Sequence, residues 1–494
     1  MESLSDALWD VVISGTGLKQ SLLALALSRS GKNILHVDPN PFYGGSEAAF
    51  SIQEADEWAE KNRLADSSRL FSAAEAKRDD DALGSARAYS LALAPQLIHS
   101  RSKLVTQLVD SKAFRQIEFL AVGSFYVYQH SDSSSIPLLS RIPSTREDVF
   151  SNKSIPARSK RSLMKFLKFV LDFNSEPQME TWKSHADEEL AHFLATEFNL
   201  DAALQSYIIT LTLSYDGKIS VQDGLAAISR HLTSMGVFGH GFAAVYPKWG
   251  GLSEVAQVGC RAAAVGGATY MLGSGIKELR SASGETEAPL ELTFTNDMNV
   301  KAKLVIQGAD TIESNSLRIS RLTVVTKADL SALFELLTDG APVPAVAVVA
   351  FPTGSISEGE TPSEFPVYAM VHSSDTGECP SGQYVIYFST VCTPSARSVL
   401  DKALSFLLSA VSNGQDVNPL LYQLYYEQGD GINTLSIDGN IATFSPASQS
   451  MAFDDSILDS VHEAWKFVNA GSEDVLEYMT FEDREAGSDD ELYE

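Results

Sequence analysis

DVVISGTGLKQSLLALALSRSGKNILHVDPNPFYGGS, residues 10–46, is the stretch whose reading decides the fold. Val11–Val12–Ile13 is an apolar run of strand length, and Gly15–Thr16–Gly17 is a tight turn. Leu18 to Ser30 has helical leucine spacing, Gly31 stops it, and Ile34 to Val37 is a second strand. Strand, glycine turn, helix and strand form the opening unit of a dinucleotide-binding sheet. In that unit the third glycine of G-x-G-x-x-G leaves room beside a pyrophosphate. Here the position is Gln20, a long amide where bare backbone is needed. The residues point to a fold retained and a nucleotide lost.

Two neighbouring features keep the opposite reading open. Asp38 stands where an acidic side chain would meet a ribose hydroxyl, and Gly44–Gly45–Ser46 has the spacing of the Gly-Gly-Arg of many flavoproteins, without its guanidinium. On these residues alone, an FAD-dependent oxidoreductase and an emptied scaffold are both open.

The composition narrows the class. With 494 residues, 44% of them apolar, the chain supports more than one core. It has no apolar run long enough to span a bilayer. The N-terminus MESLSDALWD lacks the form of a signal peptide, and Cys260, Cys379 and Cys392 are too scattered for a metal or disulfide cluster, so a reduced cytoplasmic setting is expected. The net charge of −27 disfavours nucleic acid and anionic lipid as the primary partner. Residues 471–494 hold ten Asp and Glu against one Arg and read as a solvated, disordered tail. The nine histidines form no ligand pattern, and neither a phosphate-binding G-x-x-x-x-G-K-[ST] loop nor a G-x-S-x-G elbow occurs.

Residues 48–86 read as helix and loop over the sheet. A Ser/Pro-rich passage, SDSSSIPLLSRIPSTRED, marks a boundary, and Lys153 to Phe238 is largely helical, with Leu163, Phe166, Leu167, Val170 and Leu171 in one stripe. Strand patterns return after Gly239. In YPKWGGLSEVAQVGCRAAAVGGATYML, residues 246–272, Glu254, Gln257 and Arg261 recur at three and four residues and form one polar row on a helix. That row is either a solvated face or, with Tyr43 held by the Pro41 turn, a recognition platform, since Tyr and Arg are frequent interface anchors.

Together with RSLMKFLKFV in the helical insert, these two blocks resemble the Rab GDP-dissociation inhibitor and Rab escort protein superfamily over nearly the whole chain. SVQDGLAAISRHLTSMGVFG, LYQLYYEQGDG and the acidic end are more similar to its escort branch, of fungal type. The resemblance implies an α/β protein. A large FAD-binding-like (Rossmann-type) multi-sheet domain would cover residues 1–128 and 232–470, with a smaller all-α inserted domain over 129–231 and the tail over 471–494. It implies no enzymatic activity and no cofactor, the FAD-like site being empty.

By the same resemblance, such a protein binds newly made Rab GTPases in the GDP form and presents them to the Rab geranylgeranyltransferase heterodimer. It then shelters the geranylgeranyl lipid and delivers the product through transient membrane contact; a recycling inhibitor is the alternative. The Rab platform maps onto Tyr43, Glu254, Arg261, Thr269 and Met271, with Gln257 beside them. One extra residue in Gly250–Gly251–Leu252–Ser253 alters the approach to the platform helix. Phe166, Phe169 and Val170 would line or gate a prenyl pocket, closed and small without lipid, and Phe193 and Phe198 lie in the region where the transferase docks. Gly15, Gly17, Gln20 and Asp38 form the vestigial nucleotide loop.

Overall fold

The computed structural model describes residues 4–5, 7–79, 83–129, 138–143, 149–150, 155–281, 289–313, 315–336, 340–358, 361–411, 419–471 and 477–483. Two large sheets organise it. In the first, Leu8–Ser14 pairs in parallel with Ile34–Asp38 on one side and with Asn299–Gly308 on the other. Thr269–Leu272 closes one edge against Ile34–Asp38, while Leu290–Phe294 and Ile276–Ser281 extend the other edge antiparallel. Ile441–Phe444 returns late in the chain to pair in parallel with Asn299–Gly308. Val11, Val12 and Ile13 are fully buried, as a parallel strand covered on both faces requires.

Helix α1 (Leu18–Leu27) packs on this sheet with all ten residues buried, Lys19 and Gln20 included. Leucine spacing alone implies one buried face; here every face is covered, because α1 is sandwiched. α9 (Leu252–Val265) and α11 (Ser456–Val468) cover it from outside. The contact with α9 is close: a Cβ built on Gly259 would stand 2.6 Å from the Ser21 carbonyl oxygen.

The second sheet has ten strands, in the order 71–78, 420–429, 318–326, 384–391, 367–372, 346–351, 119–129, 244–247, 98–99, with 138–141 beside 119–129. Period-two alternation sorts its faces. Phe125 and Val127 point into the core shared with the insert, whereas Tyr126 and Tyr128 point to the core under α10 (Ala396–Val411). Other helices of the large body are α2 (Ile52–Lys61), fixed by a Ser51/Glu54 capping box, and α3 (Lys103–Asp110). The insert comprises α4 (Ala157–Leu171), α5 (Gln178–Trp182), α6 (Leu190–Phe198), α7 (Ala202–Thr210) and α8 (Val221–Ser234).

The α/β class with a helical insert is observed, and three expectations are corrected. Residues 48–86 contribute a strand, Phe71–Arg78, to the second sheet. Leu138–Arg141, inside the range 129–231, also belongs to that sheet; residues 130–137 and 144–148 of the Ser/Pro-rich passage lie outside the described residues. Finally, part of the acidic end is docked. Met479 is 2% exposed and Phe481 9%, Arg29 lies 4.6 Å over the Phe481 ring, and Arg115 pairs with Asp483 at 2.9 Å. Three apolar side chains within the acidic run, at 478, 479 and 481, outweigh its charge there; 472–476 and 484–494 lie outside the described residues. No helix among the described residues is long and apolar enough to cross a membrane.

A filled nucleotide cradle and the surface beside it

The glycine turn is closed by the protein's own groups. Gly15 and Gly308 both face the Gln20 amide: a Cβ on them would lie 3.1 Å and 2.5 Å from its Nε2, and one on Gly17 would lie 3.2 Å from its Oε1. The N-terminus of α1, where a phosphate would sit, is held by a carboxylate instead. The Leu18 N–H donates to Glu47 Oε2 at 2.9 Å, and Ser46 Oγ donates to Glu47 Oε1 at 2.6 Å. Burial pushes the Glu47 carboxyl up and pushes the Lys19 ammonium down to about 8, although each favours the charge of the other. Lys19 Nζ donates to the Ser445 carbonyl.

Asp38 is equally engaged. It accepts from Thr16 N at 2.6 Å and Oγ1 at 2.7 Å, and from the Asn40 N–H at 2.7 Å. The space left in the cradle is about 120 Å³, below the range of roughly 300–1,000 Å³ usual for sites that enclose small-molecule ligands. A dinucleotide does not fit these residues.

Beside the cradle, α9 presents half-buried Glu254 and Gln257 and exposed Arg261 outward, at the spacing read from the sequence. Arg261 donates to Gln116 Oε1 at 3.3 Å. Burial raises the Glu254 carboxyl, and Arg261 opposes that. Tyr43 comes to the same side, its ring 6.2 Å from that of Tyr270, which in turn meets His36. Thr269 and Met271 alternate with Tyr270 on the edge strand and so project from its other face, where Met271 packs on the core under the first sheet. Thr269 and Met271 thus lie on the edge strand with Tyr43 near it, Glu254, Gln257 and Arg261 lie on α9, and the six do not form one flat face.

Before α9, Gly250 and Gly251 are both at positive φ (113° and 64°), and Glu254 lies in the first helical turn. Behind them lies a network that the sequence reading missed. Buried Glu378 accepts from Tyr246 Oη at 2.7 Å and Tyr387 Oη at 2.8 Å and bonds His372 Nδ1 at 2.8 Å. Through Ser90 N–H to Glu378 O, and Trp249 N–H to Thr376 O, it ties the second sheet to the start of α9. No spacing rule links residues that far apart in the chain.

The insert contains an apolar cavity of about 760 Å³ against the second sheet, lined by Phe125, Leu163, Leu167, Leu171, Leu211 and Met235 among others, with His231 at its wall. The expected small, closed cavity is therefore corrected. So are the residues assigned to it. Phe166 and Val170 are fully buried on the other face of α4, and Phe166 meets Phe198 at 5.1 Å. Phe169 is half-buried against Phe198 at 5.1 Å. Phe193 and Phe198 are themselves core, so neither offers its ring to a partner. The lining positions of α4, 163, 164, 165, 167, 168 and 171, cover the adjoining face of the same helix, whose period is present in the sequence. Among the described residues no cluster could hold a metal ion.

Fold and site together define a dinucleotide-type scaffold whose cradle is filled from within and whose insert carries an apolar cavity. The family profile described as GDP dissociation inhibitor matches residues 5–422, and the chain belongs to that family. It is 29% identical over 462 residues to "Rab proteins geranylgeranyltransferase component A" of Saccharomyces cerevisiae, covering 88% of this chain and 71% of that protein. It is 28% identical to the protein of the same name from Candida albicans, covering 80% of this chain and 61% of that one. Among solved structures, Rab GDI from Plasmodium falciparum superposes with a TM-score of 0.66 over 93% of this chain and 98% of that one, at 18% identity, which speaks to the fold alone.

Proposed function

We propose that this chain is a non-catalytic escort for Rab-type small GTPases. It binds the GDP form through Tyr43, Glu254, Gln257 and Arg261 on the α9 side, with Thr269 and Met271 at the sheet edge. It presents the partner to a Rab geranylgeranyltransferase, needs no cofactor, and shelters the attached lipid in the insert. Preference for the GDP form follows from switch segments whose order depends on the nucleotide.

The observation that carries the reading is the apolar cavity of about 760 Å³ in a scaffold whose own cofactor cradle is filled. The names of the two fungal relatives supply the partner class. At roughly 0.8 kcal/mol per buried CH₂, sheltering a chain of about twenty carbons is worth on the order of 10 kcal/mol gross. Left in water, such a chain would drive aggregation.

The test is prenylation in vitro of an unmodified Rab by the transferase, with and without this chain. Strong stimulation is the expected result. Failure to stimulate, combined with extraction of already prenylated Rab from membranes, would replace this reading by that of a recycling inhibitor, a role that the family match also accommodates.

Two substitutions separate surface from cavity. Arg261→Ala is expected to weaken Rab binding by about 2 kcal/mol, as for an interface anchor; calorimetry reporting unchanged affinity would take Arg261 out of the platform. Leu167→Asp places a carboxylate at the cavity wall, and it is expected to cut retention of prenylated Rab about tenfold or more while leaving unprenylated Rab binding within about twofold. Equal losses for both forms would mean that the cavity holds no lipid.

A further inference from the structure

Helix α4 carries Arg158, Arg161, Lys165 and Lys168, all exposed, at a spacing that sets them in one stripe along its outer face. Lys160, half-buried, is tied to the Phe150 carbonyl at 2.7 Å. The helix holds no acid, in a chain with 64 Asp and Glu against 37 Lys and Arg. Among the described residues no carboxylate lies within ion-pair distance of the four stripe cations. Of the acids around it, Asp201 accepts from Ser159 and caps α7, Asp172 follows the end of α4, and exposed Glu197 precedes Phe198. Lys165 instead rests 5.3 Å over the Phe198 ring.

The stripe is continuous with the cavity mouth. Lys165 and Lys168 are exposed and also line the cavity, and so is Leu171, 52% exposed. Phe150, 63% exposed, follows the lining residue Val149. Unpaired cations beside exposed apolar side chains suit an anionic bilayer surface, where the charges meet headgroups and the apolar groups enter the boundary.

We propose that the α4 stripe is the surface by which this protein settles transiently on anionic membranes, with the cavity mouth turned toward the bilayer. The net charge of −27 opposes approach by the molecule as a whole, so the attraction has to be local. Attraction is confined to it and residence is short, which suits transfer of a lipid followed by release. The proposal rests on the escort reading for what the cavity holds, and its test does not.

The full chain is sedimented with vesicles of phosphatidylcholine, and with the same vesicles containing about 30 mol% phosphatidylserine, at near-physiological and at raised salt. Binding is expected on the anionic vesicles only and is lost at high salt. Lys165→Glu/Lys168→Glu, and separately Arg158→Glu/Arg161→Glu, should each reduce it about tenfold or more. Lys277→Glu/Lys301→Glu, on the first sheet far from the cavity, makes the same change in net charge and should leave most of the binding. Thermal melts and binding of unprenylated Rab should be the same for the stripe variants and the unmodified chain. Equal binding to neutral vesicles, equal loss in the control pair, or stripe variants that bind vesicles normally but lose the transferase would each overturn the proposal, the last by assigning the stripe to an acidic protein surface. Failure of the prenylation test with vesicle binding intact would leave this surface standing and remove only the lipid.

Discussion

Gly259→Leu is expected to destabilise the protein by about 3 kcal/mol or more and to abolish binding at the α9 surface with it. The Cβ alone would stand 2.6 Å from the Ser21 carbonyl oxygen and 3.1 Å from its carbon. These are backbone atoms of a helix buried on every side, so they cannot turn away as a flexible side chain would. Gly266, at the end of α9, is tighter still, with its Cβ position 1.9 Å from the Ser28 carbonyl oxygen. Two glycines about two turns apart therefore let α9 lie directly on α1, and through α1 on the first sheet. A leucine would drive α9 outward and carry Glu254, Gln257 and Arg261 away from Tyr43. Urea unfolding followed by circular dichroism measures the first effect and calorimetry with a GDP-bound Rab the second. Unchanged unfolding would mean that α9 is not held by this contact. Gly259→Ala is expected to fall between the two, since the clash is the same but the volume smaller.

This contact shows what the sequence could and could not disclose. The strand, turn and helix of residues 10–46 were legible because their signals are local: an apolar run, a glycine pair and leucines at helical spacing. The replacement of the third glycine by Gln20 was legible for the same reason. That Glu47 completes the filling was not, because it depends on a loop folding back over the helix N-terminus. Periodicity placed Glu254, Gln257 and Arg261 on one face, but it cannot tell which face of an amphipathic helix meets a core and which meets a cavity. Phe166 and Val170 were therefore assigned to the cavity that Leu167 and Leu171 line. The docked segment 477–483 was hidden by its charge, since the composition of the whole tail outweighed its three apolar residues.

Stability is expected to fall as the pH drops from about 6.5 toward 4, and buried imidazoles are the cause. Burial holds His36 at about 4, against a backbone bond to Gly15 that favours its charge, and holds His231 at about 4 with help from Arg230 beside it. His99, its ring 5.7 Å from that of His231, is pushed well below its ordinary value by burial first and by those two neighbours second. In the unfolded chain each of these titrates near 6.5, so between that value and the folded one the unfolded state binds more protons and stability rises with pH. Over roughly 2.5 units, at about 1.4 kcal/mol per unit, each of His36 and His231 is worth about 3 kcal/mol at its limit. Burial raises the Glu47, Glu254, Asp310 and Asp430 carboxyls, which acts in the opposite sense above the ordinary carboxylate value. The imidazole contribution is therefore read from one histidine at a time, in the interval from about 6.5 to 5. His231→Phe is the cleanest probe. His231 Nδ1 has no hydrogen-bond partner among the described residues, so the substitution forfeits no bond there, and the ring keeps its place beside Phe125. Urea midpoints at a series of pH values should then show a slope shallower by up to about 1.4 kcal/mol per unit in that interval. An unaltered slope would mean that His231 takes up its proton at the same pH in the folded and the unfolded chain, and an imidazole charged below about 6.5 at the cavity wall would leave that wall unfit for an apolar chain.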